Sequence, residues 1–227
     1  MTRAFCFTLL LVTVSGLLPA QEALRGELRI DLEPIHGPYV DEKYPLDTKA
    51  AALRALTEGA VFFSAMIYGW SFYYDIGEKA RGIAENFELE PLGNIPFGDP
   101  GLRVTDVRIE NGQFKVWIDY RPDQNQLRRL GMWKSGLVRA AQAVGYGPLG
   151  GPVEISDWLV IKKAALEDAA RGAVRALLRG NERNRPKEAR GYISLSAFPS
   201  FYMDGGRWAA SARFRVELTE IQPFAAY

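Results

Sequence analysis

The sequence predicts an α+β fold: an antiparallel sheet of about five strands with about three helices packed mainly on one face. Three observations support this class. Residues 27–32 and 207–219 alternate apolar and polar side chains, which is the period of a half-buried strand. Asn111-Gly112 separates two further strand-like runs and suits the positive φ angles of a tight hairpin turn. Three stretches carry apolar residues at helical spacing.

The first predicted elements are a strand and a long helix. Residues 27–32 place three apolar side chains on one face: Leu28, Ile30 and Leu32. Asp47 is suited to cap a helix that runs from Thr48 toward Gly69, because its carboxylate can accept hydrogen bonds from the first backbone N–H groups. After Glu58 this helix is apolar all round, which is typical of a helix buried on several sides.

A hairpin follows, in which 102–109 pairs with 114–120. Its second strand is expected to turn four side chains toward the core: Phe114, Val116, Ile118 and Tyr120. The alternation breaks between Val104 and Val107, which indicates a β-bulge.

The second half predicts two helices followed by two strands. The expected helices are 124–144 and 157–180, and the expected strands are 191–198 and 207–219. Ser156 is a suitable N-cap for the later helix. The segments 145–152 and 181–188 are expected to be a loop and a polar linker, and Asp204-Gly205-Gly206 joins the two strands.

Residues 1–20 have the features of a secretory signal peptide. Arg3 precedes an apolar run that ends at Leu18, and Ala20 supplies the small residue at the exit. The run is shorter than the about 20 residues that a membrane span needs. We therefore expect one domain over 21–227 without a transmembrane span. The protein is expected to be exported to the periplasm or cell envelope, and its release from the cell stays open.

Composition narrows the possible chemistry. The 28 basic and 27 acidic residues leave a formal net charge of +1, so no general attraction to nucleic acid is expected. Cys6 is the only cysteine and falls in the segment expected to be removed, and His36 is the only histidine. These counts disfavour disulfides and thiolate or histidine metal centres. No cofactor, metal ligand or catalytic residue is assigned.

The stretch 145–150 reads Gly-Tyr-Gly-Pro-Leu-Gly and matches the letters of the dinucleotide-binding fingerprint. That fingerprint leaves a strand and opens a helix. Here it follows a predicted helix, so we interpret it as a loop.

An aromatic run over 68–74 is the first candidate binding feature. Large rings dominate both protein cores and binding hot spots. Its candidate binding residues are Trp70, Tyr73 and Tyr74. The alternative is that these rings pack in the core.

A positive run is the second candidate. Three arginines recur every fourth residue on one helix face, and two more follow: Arg171, Arg175, Arg179, Arg183 and Arg185. Guanidinium groups suit phosphates and carboxylates, so an envelope protein or an anionic surface is the expected partner. The alternative is a solvated helix face.

Three classes of function stay open. The first is a non-enzymatic periplasmic or envelope protein that binds a partner or takes part in envelope assembly. The second is a carbohydrate-active hydrolase that uses two carboxylates drawn from Glu33, Asp41, Glu42, Asp75 and Glu78. The third is a soluble protein that binds a small ligand. The sequence leaves the oligomeric state open.

An internal duplication is also predicted. Residues 51–61 align without gaps against 164–174, and a hairpin follows each segment. The related halves would be about 45–121 and 156–221, arranged about a pseudo-twofold axis.

The order of an alanine-rich helix and a later hairpin strand over 206–216 resembles the small sheet-and-helix domains of bacterial outer-envelope and flagellar ring-associated proteins. This resemblance implies no site residue.

The signal peptide predicts a defined mature end. When the full chain is expressed in a bacterium, the exported protein should begin at Gln21, as measured by N-terminal sequencing. Leu10→Arg, which puts a charge inside the apolar run, should prevent export. An exported protein that still begins at Met1 would contradict this prediction.

Overall fold

The computed structural model describes residues 23–33, 43–78, 81–149, 158–181 and 186–223. Within these ranges the chain forms nine strands and three helices. Their order is β1 (Leu24–Asp31), α1 (Thr48–Ile67), β2 (Trp70–Asp75), β3 (Asn86–Pro91), β4 (Leu102–Glu110), β5 (Gln113–Tyr120), α2 (Gln124–Met132), β6 (Arg139–Tyr146), α3 (Trp158–Asn181), β7 (Pro186–Leu195), β8 (Ser200–Asp204) and β9 (Arg207–Pro223). The α+β class is confirmed. The predicted signal peptide, His36 and Ser156 lie outside the described residues.

The strands form two antiparallel sheets, where the sequence predicted one of about five strands. The smaller sheet has the order β1-β5-β4, and the larger has the order β3-β2-β7-β9-β6. Strand β8 belongs to the larger sheet through β9, which it pairs over Arg207–Ser211, while β7 pairs the later part of β9. Helix α3 contacts β6 and β9 of the larger sheet, helix α1 contacts β7, and side chains from both helices line one cavity.

Helix α1 is the central element, since it contacts all three strands of the smaller sheet and β7 of the larger one. The predicted cap is confirmed: the Asp47 carboxylate accepts a hydrogen bond of 2.7 Å from the backbone N–H of Ala50. Contact with both sheets explains why the helix is apolar all round. Its fully buried or nearly buried residues include Ala51, Ala55, Phe62, Phe63 and Ile67.

Among the described residues, one helix, α1, has the length and the apolar composition that a membrane-spanning helix needs. In this fold 56% of its most apolar window is buried against other elements. Such burial is what the core helix of a folded domain shows.

The predicted β4–β5 hairpin is confirmed in detail. Asn111 and Gly112 have φ angles of 53° and 72°, which suit a type I′ turn. The predicted bulge lies between Thr105 and Val107, with Asp106 at a φ of 28°. The four side chains expected in the core are all at most 2% exposed: Phe114, Val116, Ile118 and Tyr120.

The predicted helix over 124–144 is wrong beyond its first part. Helix α2 ends at Met132, and 139–146 forms strand β6, so the loop expected over 145–152 begins two residues later. Gly131 and Gly136 weaken helix propagation. Pairing of β6 with β9 then outweighs the helical preference of its alanines. The fingerprint-like stretch therefore follows a strand after all, but that strand is antiparallel to its neighbour, unlike the parallel βαβ unit of a dinucleotide site.

Other predicted bounds need smaller corrections. Strand β7 spans 186–195 instead of 191–198, so part of the expected linker is strand. Helix α3 runs one residue past Gly180. Strands β2, β3 and β8 were not predicted. The last strand is confirmed and extends to Pro223, and its inward side chains are buried: Trp208, Ala210, Ala212, Phe214 and Val216.

The two segments of the predicted duplication fall in α1 and α3. The hairpins that follow them lie in different sheets, β4–β5 in the smaller one and β8–β9 in the larger one. The duplication itself stays a prediction.

Close packing of α3 on β6 gives a test of the fold. A Cβ atom at Gly145 would lie 1.9 Å from the backbone nitrogen of Ala169 and 2.4 Å from the carbonyl oxygen of Ala165. Because backbone atoms cannot move aside cheaply, Gly145→Ala should lower the free energy of unfolding by about 1–3 kcal/mol or more in urea denaturation.

Gly131→Ala is the matched control, because a Cβ atom added at this position on α2 would have no heavy atom within 4 Å. This change should be neutral or raise stability by up to about 1 kcal/mol. Equal effects of the two substitutions would contradict the described packing of α3 on β6.

Candidate functional site

A cavity of about 530 Å³ lies between α1, α3, the β2–β3 pair and the segment that follows β3. Its size falls within the range of about 300–1,000 Å³ that is usual for small-molecule sites. The lining is largely apolar. It consists of Thr57, Ala60, Val61, Ser64, Ala65, Gly69, Trp70, Leu89, Pro91, Gly93, Asn94, Ile95, Phe97, Lys163, Leu166 and Glu167.

Small residues on α1 leave the space for this cavity. Ala60 and Ser64 lie one turn apart, so they share a face of the helix. The Ser64 hydroxyl donates a hydrogen bond of 2.6 Å to the carbonyl of Ala60 and accepts one of 2.8 Å from the backbone N–H of Ile95. Ser64 thereby holds the segment after β3 against the helix, where that segment forms one wall.

Two aromatic rings contribute to the cavity wall. Trp70 is the first residue of β2 and is half-buried, on the strand face that also carries the buried Phe72 and Tyr74. Phe97 is 61% exposed and lies at the opening of the cavity. An exposed ring beside an apolar cavity gives a ligand an apolar surface on entry.

The three aromatic candidates from the sequence do not share a surface. Trp70 lines the cavity. Tyr73 points to the opposite face of β2, where the Arg190 guanidinium lies 5.0 Å from its ring centroid. Tyr74 is fully buried, so its ring belongs to the core. Only Trp70 of these three therefore contributes to the cavity.

The arginine candidates are also divided. Arg171 forms an ion pair with Asp168, and Arg175 forms one with Glu85. Arg179 is exposed. Arg183 and Arg185 lie outside the described residues. Arg171 and Arg175 thus pair with acidic side chains of the same chain, so they give no support to the predicted binding of an anionic partner.

Arg175 belongs to a polar network with Tyr74 and Glu85. The Tyr74 hydroxyl donates to Glu85, and Arg175 Nε donates to the Tyr74 oxygen over 3.1 Å. Desolvation raises the pKa of the Tyr74 hydroxyl. Desolvation also acts to raise the pKa of Glu85, but the hydrogen bonds from Tyr74 and Arg175 outweigh it, so that pKa lies below its ordinary value. This network ties α3 to β2.

A buried ion pair joins α1 to α3 beside the cavity. Lys162 Nζ donates to Glu58 Oε1 over 2.7 Å, and the two residues are 4% and 0% exposed. Arg54 Nε lies 3.9 Å from the same carboxylate oxygen. Glu58 Oε2 has no hydrogen-bond partner among the described residues. This pair was not predicted from the sequence, although a glutamate entering an apolar helix is a signal that could have pointed to it.

Aromatic rings surround the Lys162 ammonium. Its Nζ atom lies 5.7, 5.1 and 5.3 Å from the ring centroids of Trp158, Phe201 and Trp208. The faces of aromatic rings attract a cation through their quadrupole. These rings and the Glu58 carboxylate together surround the buried lysine side chain with favourable contacts.

Two exposed charges lie at the rim of the cavity. Lys163 and Glu167 are four residues apart on α3, a spacing at which opposite charges can pair on a helix. No ion pair joins them among the contacts of the described residues. Desolvation raises the pKa of Glu167, and the charge of Lys163 opposes that shift only in part.

The carboxylates considered for hydrolysis are engaged locally or lie elsewhere. Asp75 accepts a hydrogen bond from the backbone N–H of Gly77, and Glu78 pairs with Arg81. Asp41 and Glu42 lie outside the described residues. Within the part of the chain that the structure describes, no group of three or more histidine, cysteine, aspartate or glutamate residues is placed to hold a metal ion.

A protein-family model matches residues 14–224, so the chain belongs to the family that this model describes. A similar protein of Treponema pallidum (strain Nichols), an uncharacterised protein, is 26% identical over 169 residues. The match covers 74% of this chain and 68% of that protein. No solved structure matches the chain. The family is therefore a bacterial one.

The buried ion pair gives a further test. Glu58→Leu should lower the free energy of unfolding by about 3–5 kcal/mol, because it leaves the Lys162 ammonium buried without its carboxylate. The double variant Glu58→Leu with Lys162→Met should recover at least half of that loss, as measured by urea denaturation. A double variant less stable than the single one would show that the pair does not act as a charge-compensated unit.

Proposed function

We propose that this protein is an exported, non-enzymatic protein of the bacterial periplasm or cell envelope that binds a small ligand, through an apolar part of that ligand, in the cavity between α1 and α3. The observation that carries the proposal is the cavity itself, with its volume of about 530 Å³ and its largely apolar wall. A cavity of this kind with a few polar groups is the usual form of a small-molecule site.

Two observations on Trp70 support the proposal, one from the sequence and one from the structure. The sequence marks it as a candidate for ligand contact, and the structure has it line the cavity. It is half-buried, so part of its ring can contact a ligand without a change in the core. Tryptophan in such a position is among the commonest carriers of binding energy.

The other two classes of function gain less support. Partner binding through the arginine run would use Arg171 and Arg175, which already pair with acidic side chains of the same chain. A hydrolase would need two carboxylates facing one substrate, and Asp75 and Glu78 make local contacts instead. Export is supported by the features of residues 1–20.

A titration with a neutral amphiphile tests the proposal. Dodecyl maltoside, kept below its micelle concentration, should bind the wild-type protein with a negative heat-capacity change, as apolar burial requires. Trp70→Ala should weaken this binding by about tenfold or more, because a buried indole contributes on the order of 2 kcal/mol. Isothermal titration calorimetry at several temperatures measures both quantities.

Trp117→Ala is the matched control. Trp117 is also half-buried, but it lies on β5 in the smaller sheet, where the Arg25 guanidinium lies 4.6 Å from its ring centroid. This variant should bind dodecyl maltoside like the wild type. The proposal would be wrong if the wild-type protein bound no amphiphile, or if both tryptophan variants lost binding equally while remaining folded.

A further inference from the structure

The rim of the cavity carries one positive and one negative charge that form no ion pair with each other among the described contacts. Lys163 and Glu167 both line the cavity and are both exposed. Their spacing on α3 would allow an ion pair, yet none joins them among the described contacts. Two opposite charges that both line an apolar cavity form a pattern that a ligand can complement.

We propose that the ligand is an amphiphile with a zwitterionic head group, whose ammonium contacts Glu167, whose phosphate or carboxylate contacts Lys163, and whose apolar tail enters the cavity. This inference rests on the proposed function, since it names the chemical class of ligand for the same cavity. Charge complementarity carries it: a head group with both charges pairs both rim residues at once.

Head groups with a single charge complement the rim less well. An anionic head group would pair with Lys163 but meet the carboxylate of Glu167 one helical turn away. A cationic head group would pair with Glu167 and meet the ammonium of Lys163 in the same way. A neutral head group would leave both rim charges unpaired. Desolvation raises the pKa of the Glu167 carboxylate, and a neighbouring ammonium would offset this effect by favouring the charged form.

The wall behind these charges is suited to a tail. Leu166 lies between the two charged residues in sequence and also lines the cavity, and Ala65 and Trp70 contribute further apolar surface. A tail in this space would be removed from water, which provides most of the affinity. The rim charges would then select among ligands with the same tail.

Four dodecyl amphiphiles with different head groups test this inference: dodecylphosphocholine, dodecyl maltoside, dodecyl sulfate and dodecyltrimethylammonium. Each is titrated below its micelle concentration, and the dissociation constant is measured by calorimetry. Dodecylphosphocholine should bind about fivefold tighter than dodecyl maltoside, since two partly exposed charge contacts contribute on the order of 1 kcal/mol together. The two singly charged amphiphiles should bind more weakly than dodecylphosphocholine.

Rim variants supply the second arm of the test. Lys163→Gln with Glu167→Gln should remove the preference for dodecylphosphocholine over dodecyl maltoside. The control carries Lys49→Gln with Glu90→Gln, which removes one charge of each sign from exposed positions that do not line the cavity. This control should keep the preference.

The outcomes separate the two proposals. If all four amphiphiles bind with equal affinity, or a singly charged one binds tightest, the head-group inference is overturned while the apolar cavity stands as a site. If none binds, the proposed function fails first. A preference that survives in the rim variant would place the head group elsewhere and would also overturn the inference.

Discussion

The ion pair between Glu58 and Lys162 is the buried constraint that joins helix α1 to helix α3. Glu58 lies in α1, which contacts both sheets and has little room for a charge. A buried carboxylate without a partner is strongly unfavourable, so α3 must approach close enough to bring Lys162 within 2.7 Å. Packing on β6 and β9 places α3 on the larger sheet, and the ion pair joins it there to α1. The aromatic rings around Lys162 tie β8, β9 and the start of α3 to the same point.

The cavity lies beside this contact. At Glu58, the ion pair with Lys162 joins α1 to α3. Further along α1, the side chains of Ala60, Ser64 and Ala65 are too small to fill the space between the helices. The Arg175–Glu85 pair then ties α3 to the β2 end of the larger sheet. Two polar contacts thus add to the packing of α3 on β6 and β9, and the small residues of α1 leave an apolar space between them. A cavity held in this way can be present before a ligand arrives, which lowers the cost of binding.

The sequence predicted the elements whose pattern is local. Strands β1, β5 and β9 have one buried face and one wet face, so their alternation is strict, and Asp47 marks the start of α1. Strand β6 was not predicted as a strand. Its alanines and Gly145 are small because α3 packs closely on them, and a run of alanines also suits a helix. Strand β2 was not predicted because its residues continue the aromatic stretch that begins at the end of α1. Its neighbours on both sides, β3 and β7, come from distant parts of the chain.

The site was predictable only in part for the same reason. Trp70 was identified by its ring and its position after α1. Lys163 and Glu167 were missed, because opposite charges four residues apart on a helix usually form a surface pair. Their common approach to the cavity depends on where α3 lies, and α3 contacts β6, β9 and, through Lys162, a glutamate 104 positions away. No local pattern contains this information.

The most direct measurement of the central claim is the mapping of amide chemical shifts during titration with a single-chain amphiphile. A cavity site predicts that the largest changes cluster on the residues of α1, α3 and the β2–β3 region that line it, saturating at one ligand per chain. Changes that instead centre on the β1-β5-β4 sheet, or that spread over the surface without saturation, would contradict the account.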